Sequence, residues 1–123
     1  FVTMKHDLTK VTGANVSVKI SDDFMQAVEN DESFDLQFPV DSNNPSVKKT
    51  VEAKKIWQLI VDSATKTAEP GLMMWDTITQ NLPAHEYAEE GFRTQTTNPC
   101  GEIPLSAYDS CRLIAIFVYT ESE

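Results

Sequence analysis

The sequence predicts an α/β fold, a segment of a layered sheet or barrel, because strand-like and helix-like periodicities alternate in the order strand, helix, strand, helix, strand. Length and composition bound that class. The chain has 123 residues, enough for one ordinary domain with one core. Its balance, 41% hydrophobic and 24% charged with four glycines and six prolines, is that of a folded chain and not a disordered or collagen-like one. About three strands cannot close a barrel by themselves.

Residues 11–20 (VTGANVSVKI) place Val16, Val18 and Ile20 in alternation with Ser17 and Lys19, the pattern of a strand buried on one face, with Gly13 supplying a turn before it. Ser21 is an N-cap candidate. Asp22 and Asp23 follow where a helix dipole favours negative charge, and Phe24, Met25 and Val28 share a face, so a short helix is expected over residues 22–29. Residues 33–40 alternate again, with Phe34, Leu36 and Phe38 on one side, and stop at Pro39 and the polar loop 41–45.

From 50 to 67 the apolar positions Ala53, Ile56, Trp57, Ile60, Val61 and Ala64 follow the spacing of a helix with one buried stripe. It ends before Pro70-Gly71. The run Leu72-Met73-Met74-Trp75 fits either a buried strand or the start of another helix. Residues 80–95, polar and containing Pro83 and Gly91, read as a connection, and the apolar residues 113–119 as a closing buried strand. Trp57 and Trp75 are read as core, and Glu86, Glu89 and Glu90 as a solvated face.

Ten basic against nineteen acidic residues give a net charge of −9, which argues against broad electrostatic binding to nucleic acid or anionic lipid while leaving a local phosphate site open. No apolar stretch approaches the roughly 20 residues of a membrane-spanning helix. The start Phe1-Val2-Thr3-Met4-Lys5 has neither an initiator methionine nor a secretory signal, and reads as internal to a longer chain. Two cysteines are too few for a disulfide scaffold, so the cytoplasm is the default compartment. His6 and His85 lie far from either cysteine and are read as surface residues, and no metal site is assigned.

The reactive residue types concentrate in residues 96–111, around Asn98-Pro99-Cys100-Gly101-Glu102 and Asp109-Ser110-Cys111. Pro99, Gly101 and Pro104 keep this stretch from being a helix and make it a constrained loop. In an extended conformation Asn98, Cys100 and Glu102 would project to one side. That would bring together an amide, a thiol able to act as a nucleophile or one-electron centre, and a carboxylate able to move a proton. An arbitrary Cys-x-Glu is more simply a small buried hydrophobe beside a solvated acid. Cys100 and Cys111, eleven residues apart, are compatible with a disulfide, a pair of core thiols or two thiols with separate roles. A thiol hydrolase built on Cys100 lacks a nearby histidine base.

The motif TNPCGEIPL followed by DSC closely resembles the active-site finger loop of the ribonucleotide reductase catalytic subunit. The resemblance extends over LTKVTGANVSVKISDDFMQAV, the helix carrying Ala53, Ile56, Trp57 and Ile60, and AEPGLMMWD, in the same order. It implies that residues 1–123 are part of the ten-stranded α/β barrel of that family, with the finger loop at about 96–111. It implies a thiyl radical on Cys100 that abstracts the ribose 3′-hydrogen, Glu102 as the carboxylate handling the 3′-hydroxyl proton, and Asn98 holding the substrate by hydrogen bonds. Cys111 matches one half of the redox-active pair, whose partner lies outside this chain.

The resemblance further implies a ribonucleoside-diphosphate reductase, with a triphosphate substrate left open, and a thioredoxin-like or other dithiol reductant. A homodimer is implied for the full-length protein. The short gap between the cysteines and the wording NPCGE are similar to the adenosylcobalamin-dependent members, which makes adenosylcobalamin the expected cofactor. The alternatives are the iron-dependent catalytic subunit, and a non-catalytic remnant serving as an interaction piece. Phe117-Val118-Tyr119-Thr120 departs from the family pattern, the downstream phosphate-holding loop is missing, and the isolated chain is expected to be inactive.

Overall fold

The computed structural model describes residues 1–7 and 9–117. They belong to two compact units, Phe1–Asn81 and Leu82–Glu123. In the first unit, a 3-10 turn at Met4–His6 precedes β1 (Ser17–Ile20), α1 (Asp22–Glu29), β2 (Ser33–Phe38), β3 (Val47–Glu52), α2 (Ala53–Thr67), β4 (Gly71–Met74) and α3 (Trp75–Asn81). The second unit carries a 3-10 segment at Pro83–Glu90 and the strands β5 (Thr94–Thr97) and β6 (Pro104–Ser106). The strands form three two-stranded sheets: β1 with β4 in parallel, β2 with β3 antiparallel, and β5 with β6 antiparallel.

The α1 helix has the bounds that its capping residues dictate. Ser21, in extended backbone, accepts a hydrogen bond from Phe24 N–H at 3.2 Å, satisfying one of the orphan donors of the first turn. The Asp76 carboxylate, from the first turn of α3, accepts from Asp22 N–H at 2.7 Å and satisfies another. At the far end Glu32 N–H reaches Ala27 O and Asp31 N–H reaches Val28 O, with Asp31 at φ 60°. This is the doubled closure that ends a helix through one left-handed residue.

The core lies between α1, α2 and β1. Ile20, Phe24, Ala27, Ala53 and Ile60 are buried together, with Val18, Phe34, Ile56 and Trp57 packed against them. Phe24 and Phe34 meet edge to face, their centroids 5.2 Å apart, the arrangement that aromatic quadrupoles favour. The parallel β1–β4 pair needs a close backbone approach at Gly71, whose N–H donates to Val16 O at 2.9 Å; a Cβ there would meet Ser17 Oγ at 2.9 Å.

Several expectations are corrected. The long helix begins at Ala53 and not at residue 50, because Val47, Thr50 and Val51 are β-branched and pair with β2. Thr50 Oγ1 donates to Asp35 at 2.6 Å and Lys48 Nζ lies 2.9 Å from the same carboxylate. The face of β2 read as buried is covered only at its base, by Phe34; Leu36 and Phe38 are exposed. On α2 the buried face is rotated away from Val61, which is 39% exposed, toward Ser63, which is fully buried between Leu59 O and His6 Nε2.

Residues 72–75 divide between a strand and a helix start, and β4 is largely exposed. Trp75 is half-buried with Lys19 Nζ 3.8 Å over its ring, a cation–π contact instead of a core position. The connection expected over 80–95 contains the end of α3, the 3-10 segment and the start of β5. Residues 113–117 form no strand: no ladder pairs with them among the described residues, and Leu113, Ile114, Ile116 and Phe117 are more than four-fifths exposed. Residues 118–119 of that expected strand lie outside the described residues.

Candidate active-site hairpin

The β5–β6 hairpin places the reactive residues. Thr94 pairs with Ser106, Thr96 with Leu105 and Thr97 with Pro104, with an irregularity between Thr94 and Thr96. Thr94 is buried, and its N–H donates to His85 Nδ1 at 3.4 Å, which ties the strand to the preceding 3-10 segment. Pro104 suits its position because the strand has only one partner among the described residues, so its missing N–H need not leave a ladder bond unmade.

Between the strands the chain turns. Asn98 N–H donates to Ile103 O at 3.1 Å, Gly101 N–H donates to Asn98 O at 3.0 Å, and Ile103 N–H donates to Asn98 Oδ1 at 3.0 Å. Gly101 has φ 85°, in the left-handed region where a side chain is strained. The expectation of an extended run is therefore corrected, and the two-residue alternation that would put Asn98, Cys100 and Glu102 on one side does not apply. What joins the three residues is the closed turn itself. Asn98 is buried at its root, whereas Cys100 and Glu102 are exposed.

Cys111 lies beyond β6 in a stretch without regular structure, exposed. Both thiols are free, so of the readings open for the pair, a Cys100–Cys111 disulfide and buried core thiols are not what the structure contains. His6 is exposed and bonds Ser63 Oγ at 3.0 Å, while His85 is half-buried. Among the described residues no three His, Cys, Asp or Glu side chains gather as they would around a metal ion. No helix of the described residues is long and apolar enough to cross a membrane.

The residue that sequence reasoning left out is Ile103, whose backbone N–H closes the loop on Asn98. The signal was available: asparagine bonds readily to nearby backbone at turns, and here it stands just before Pro-Cys-Gly.

The family model for the ribonucleotide reductase barrel domain matches residues 1–121. The chain belongs to the ribonucleotide reductase family. Within that family it is 38% identical over 117 residues to the vitamin B12-dependent ribonucleoside-diphosphate reductase of Thermoplasma acidophilum, covering 94% of this chain and 14% of that protein. The enzyme of the same name from Mycobacterium tuberculosis is 32% identical over 117 residues, with 94% and 16% covered. A vitamin B12-dependent ribonucleotide reductase of Agrobacterium fabrum is 33% identical over 103 residues, with 84% and 8% covered. The chain thus spans less than a fifth of the length of these reductases, and it is a mixed α/β piece of a barrel-domain family.

Proposed function

We propose that this chain is the portion of a ribonucleoside-diphosphate reductase that carries the radical thiol, and that residues 1–123 are part of a ten-stranded α/β barrel with its finger loop at 96–111. The observation that carries the reading is the hairpin turn, in a chain of this family, that holds an exposed free thiol at Cys100 and an exposed carboxylate at Glu102 on a backbone closed by three hydrogen bonds. A radical centre must be reachable by its oxidant and fixed relative to its substrate, and a turn on two paired strands meets both needs.

The roles follow from the chemistry of each group. The Cys100 sulfur radical takes the ribose 3′-hydrogen and returns it at the end of the cycle. Glu102 accepts the 3′-hydroxyl proton as the adjacent carbon–oxygen bond at C2′ breaks, and gives it back to the 3′-oxygen before the cycle closes. Asn98 holds a substrate hydroxyl through its amide. At C2′ the hydroxyl leaves as water and a hydrogen takes its place; the two electrons come from two thiols, Cys111 and a partner outside this chain, which form one disulfide. A thioredoxin-like or other dithiol reductant then restores both thiols.

Adenosylcobalamin is the proposed cofactor, since reductases similar to this chain are named vitamin B12-dependent. The fit is at Cys100, a free and exposed thiol whose hydrogen is open to abstraction; no residue of this chain is assigned to hold the corrin ring. When bound, the cofactor supplies the one-electron oxidising equivalent that removes that hydrogen.

The test uses the full-length polypeptide carrying this segment, supplied with a ribonucleoside diphosphate, a dithiol and adenosylcobalamin. Deoxyribonucleotide forms, and Cys100→Ser and Glu102→Gln each abolish it. Full activity in Cys100→Ser, or activity that needs an iron-bearing second subunit in place of adenosylcobalamin, overturns the reading. The 123-residue chain alone gives no turnover.

A further inference from the structure

Residues that face each other in a hydrogen-bonded antiparallel pair exchange two backbone bonds. Asn98 and Ile103 face each other one step beyond the Thr97–Pro104 pair, and their exchange is half regular: Asn98 N–H donates to Ile103 O at 3.1 Å. The return bond is displaced. The Asn98 carbonyl accepts from Gly101 N–H at 3.0 Å and from the Thr97 hydroxyl at 2.9 Å, which engages both of its lone pairs. The Ile103 N–H donates instead to Asn98 Oδ1 at 3.0 Å. The side-chain oxygen stands in for a backbone acceptor that the turn has consumed.

We infer that Asn98 is a positioning residue, a latch whose Oδ1 closes residues 98–103 and so fixes Cys100 and Glu102, while its Nδ2 is the end of the amide available to substrate. This rests on the roles given above to Cys100 and Glu102 and on the hold of Asn98 on a substrate hydroxyl. It also specifies that role's polarity: the substrate group that meets Asn98 is an acceptor, because Nδ2 can only donate. Asn98 is 8% exposed and Ile103 half-buried, so water only partly replaces a bond lost at Ile103. Aspartate at position 98 offers an oxygen at the same reach and no donor; alanine offers neither.

The experiment measures backbone hydrogen exchange of Ile103 in the full-length protein, with β1 amides as an internal control, alongside kcat and KM. Asn98→Ala raises the exchange rate of Ile103 by about tenfold or more and lowers kcat, with β1 unchanged. Asn98→Asp keeps Ile103 protected within about threefold of the parent while raising KM through loss of the Nδ2 donor. Unchanged Ile103 exchange in Asn98→Ala, or exchange in Asn98→Asp as fast as in Asn98→Ala, overturns the latch. Should Asn98→Ala also lose β1 protection, the Asn98→Asp result alone decides. Ile103 exchange does not depend on turnover, so the latch and the assignment of Cys100 fail separately.

Discussion

Ile60 and Val61 are adjacent on α2 and chemically alike, yet Ile60 is 1% exposed within the cluster of Ile20, Phe24, Ala27 and Ala53, and Val61 is 39% exposed. Ile60→Ala removes three buried carbons, worth about 0.8 kcal/mol each or ~2.4 kcal/mol together. The cavity left behind carries the total into a range of about 2–5 kcal/mol. Val61→Ala removes two carbons that are already partly in water and costs less than about 1 kcal/mol. Hydrogen exchange of the α2 amides reads the difference directly: a loss of ~2.4 kcal/mol speeds exchange about fiftyfold when it proceeds through opening of the core. Equal effects of the two substitutions, or a larger one for Val61→Ala, would refute the orientation of α2 and with it the core.

Gly101→Ala places a side chain at φ 85°. It costs about 1–2 kcal/mol, seen as faster exchange of the β5 and β6 amides and a lower kcat in the full-length enzyme. The opposite exchange applies at Ala68, which caps α2 at φ 58° with its N–H on Ala64 O: Ala68→Gly relieves the left-handed strain and raises the stability of the helix end by up to about 1 kcal/mol, read from the protection of its last amides. The Thr50 hydroxyl, and after it Lys48, hold the Asp35 carboxyl below its ordinary value. A lowered folded value contributes stability above the unfolded value of about 3.9 and loses it as pH falls through the folded one. Protection of the β2–β3 amides therefore declines in that acid window, and Asp35→Asn removes the dependence.

The elements that could be read from the sequence are those in which local chemistry and packing agree. Ser21, Asp22 and Asp23 cap α1 and Phe24 anchors it, so its bounds follow from residues within one turn. The α2 stripe is legible through Ala53, Ile56 and Ile60, but its edge is not: burial of Ser63 depends on His6, more than fifty residues away. Strand β3 was hidden because Lys48, Lys49 and Glu52 break the alternation that marks a buried face; only pairing with Asp35 and Phe34 makes the strand. The run at 113–117 has the composition of a strand and no ladder partner among the described residues, and pairing is not encoded in a segment alone.

At the site, the sequence marks which side chains carry chemistry and that Pro99, Gly101 and Pro104 exclude a helix. It does not distinguish an extended loop from a closed turn, because that choice rests on the three hydrogen bonds that Asn98 makes with Gly101 and Ile103. Nor does it show that Cys100 and Cys111 remain separate free thiols.

The most direct test of the account is electron paramagnetic resonance of the full-length protein, freeze-quenched after mixing with adenosylcobalamin and substrate, with cysteine deuterated at Cβ in one sample. The expected result is a sulfur-radical signal that narrows on deuteration and is lost in Cys100→Ser but kept in Cys111→Ser. A signal that survives Cys100→Ser would contradict it.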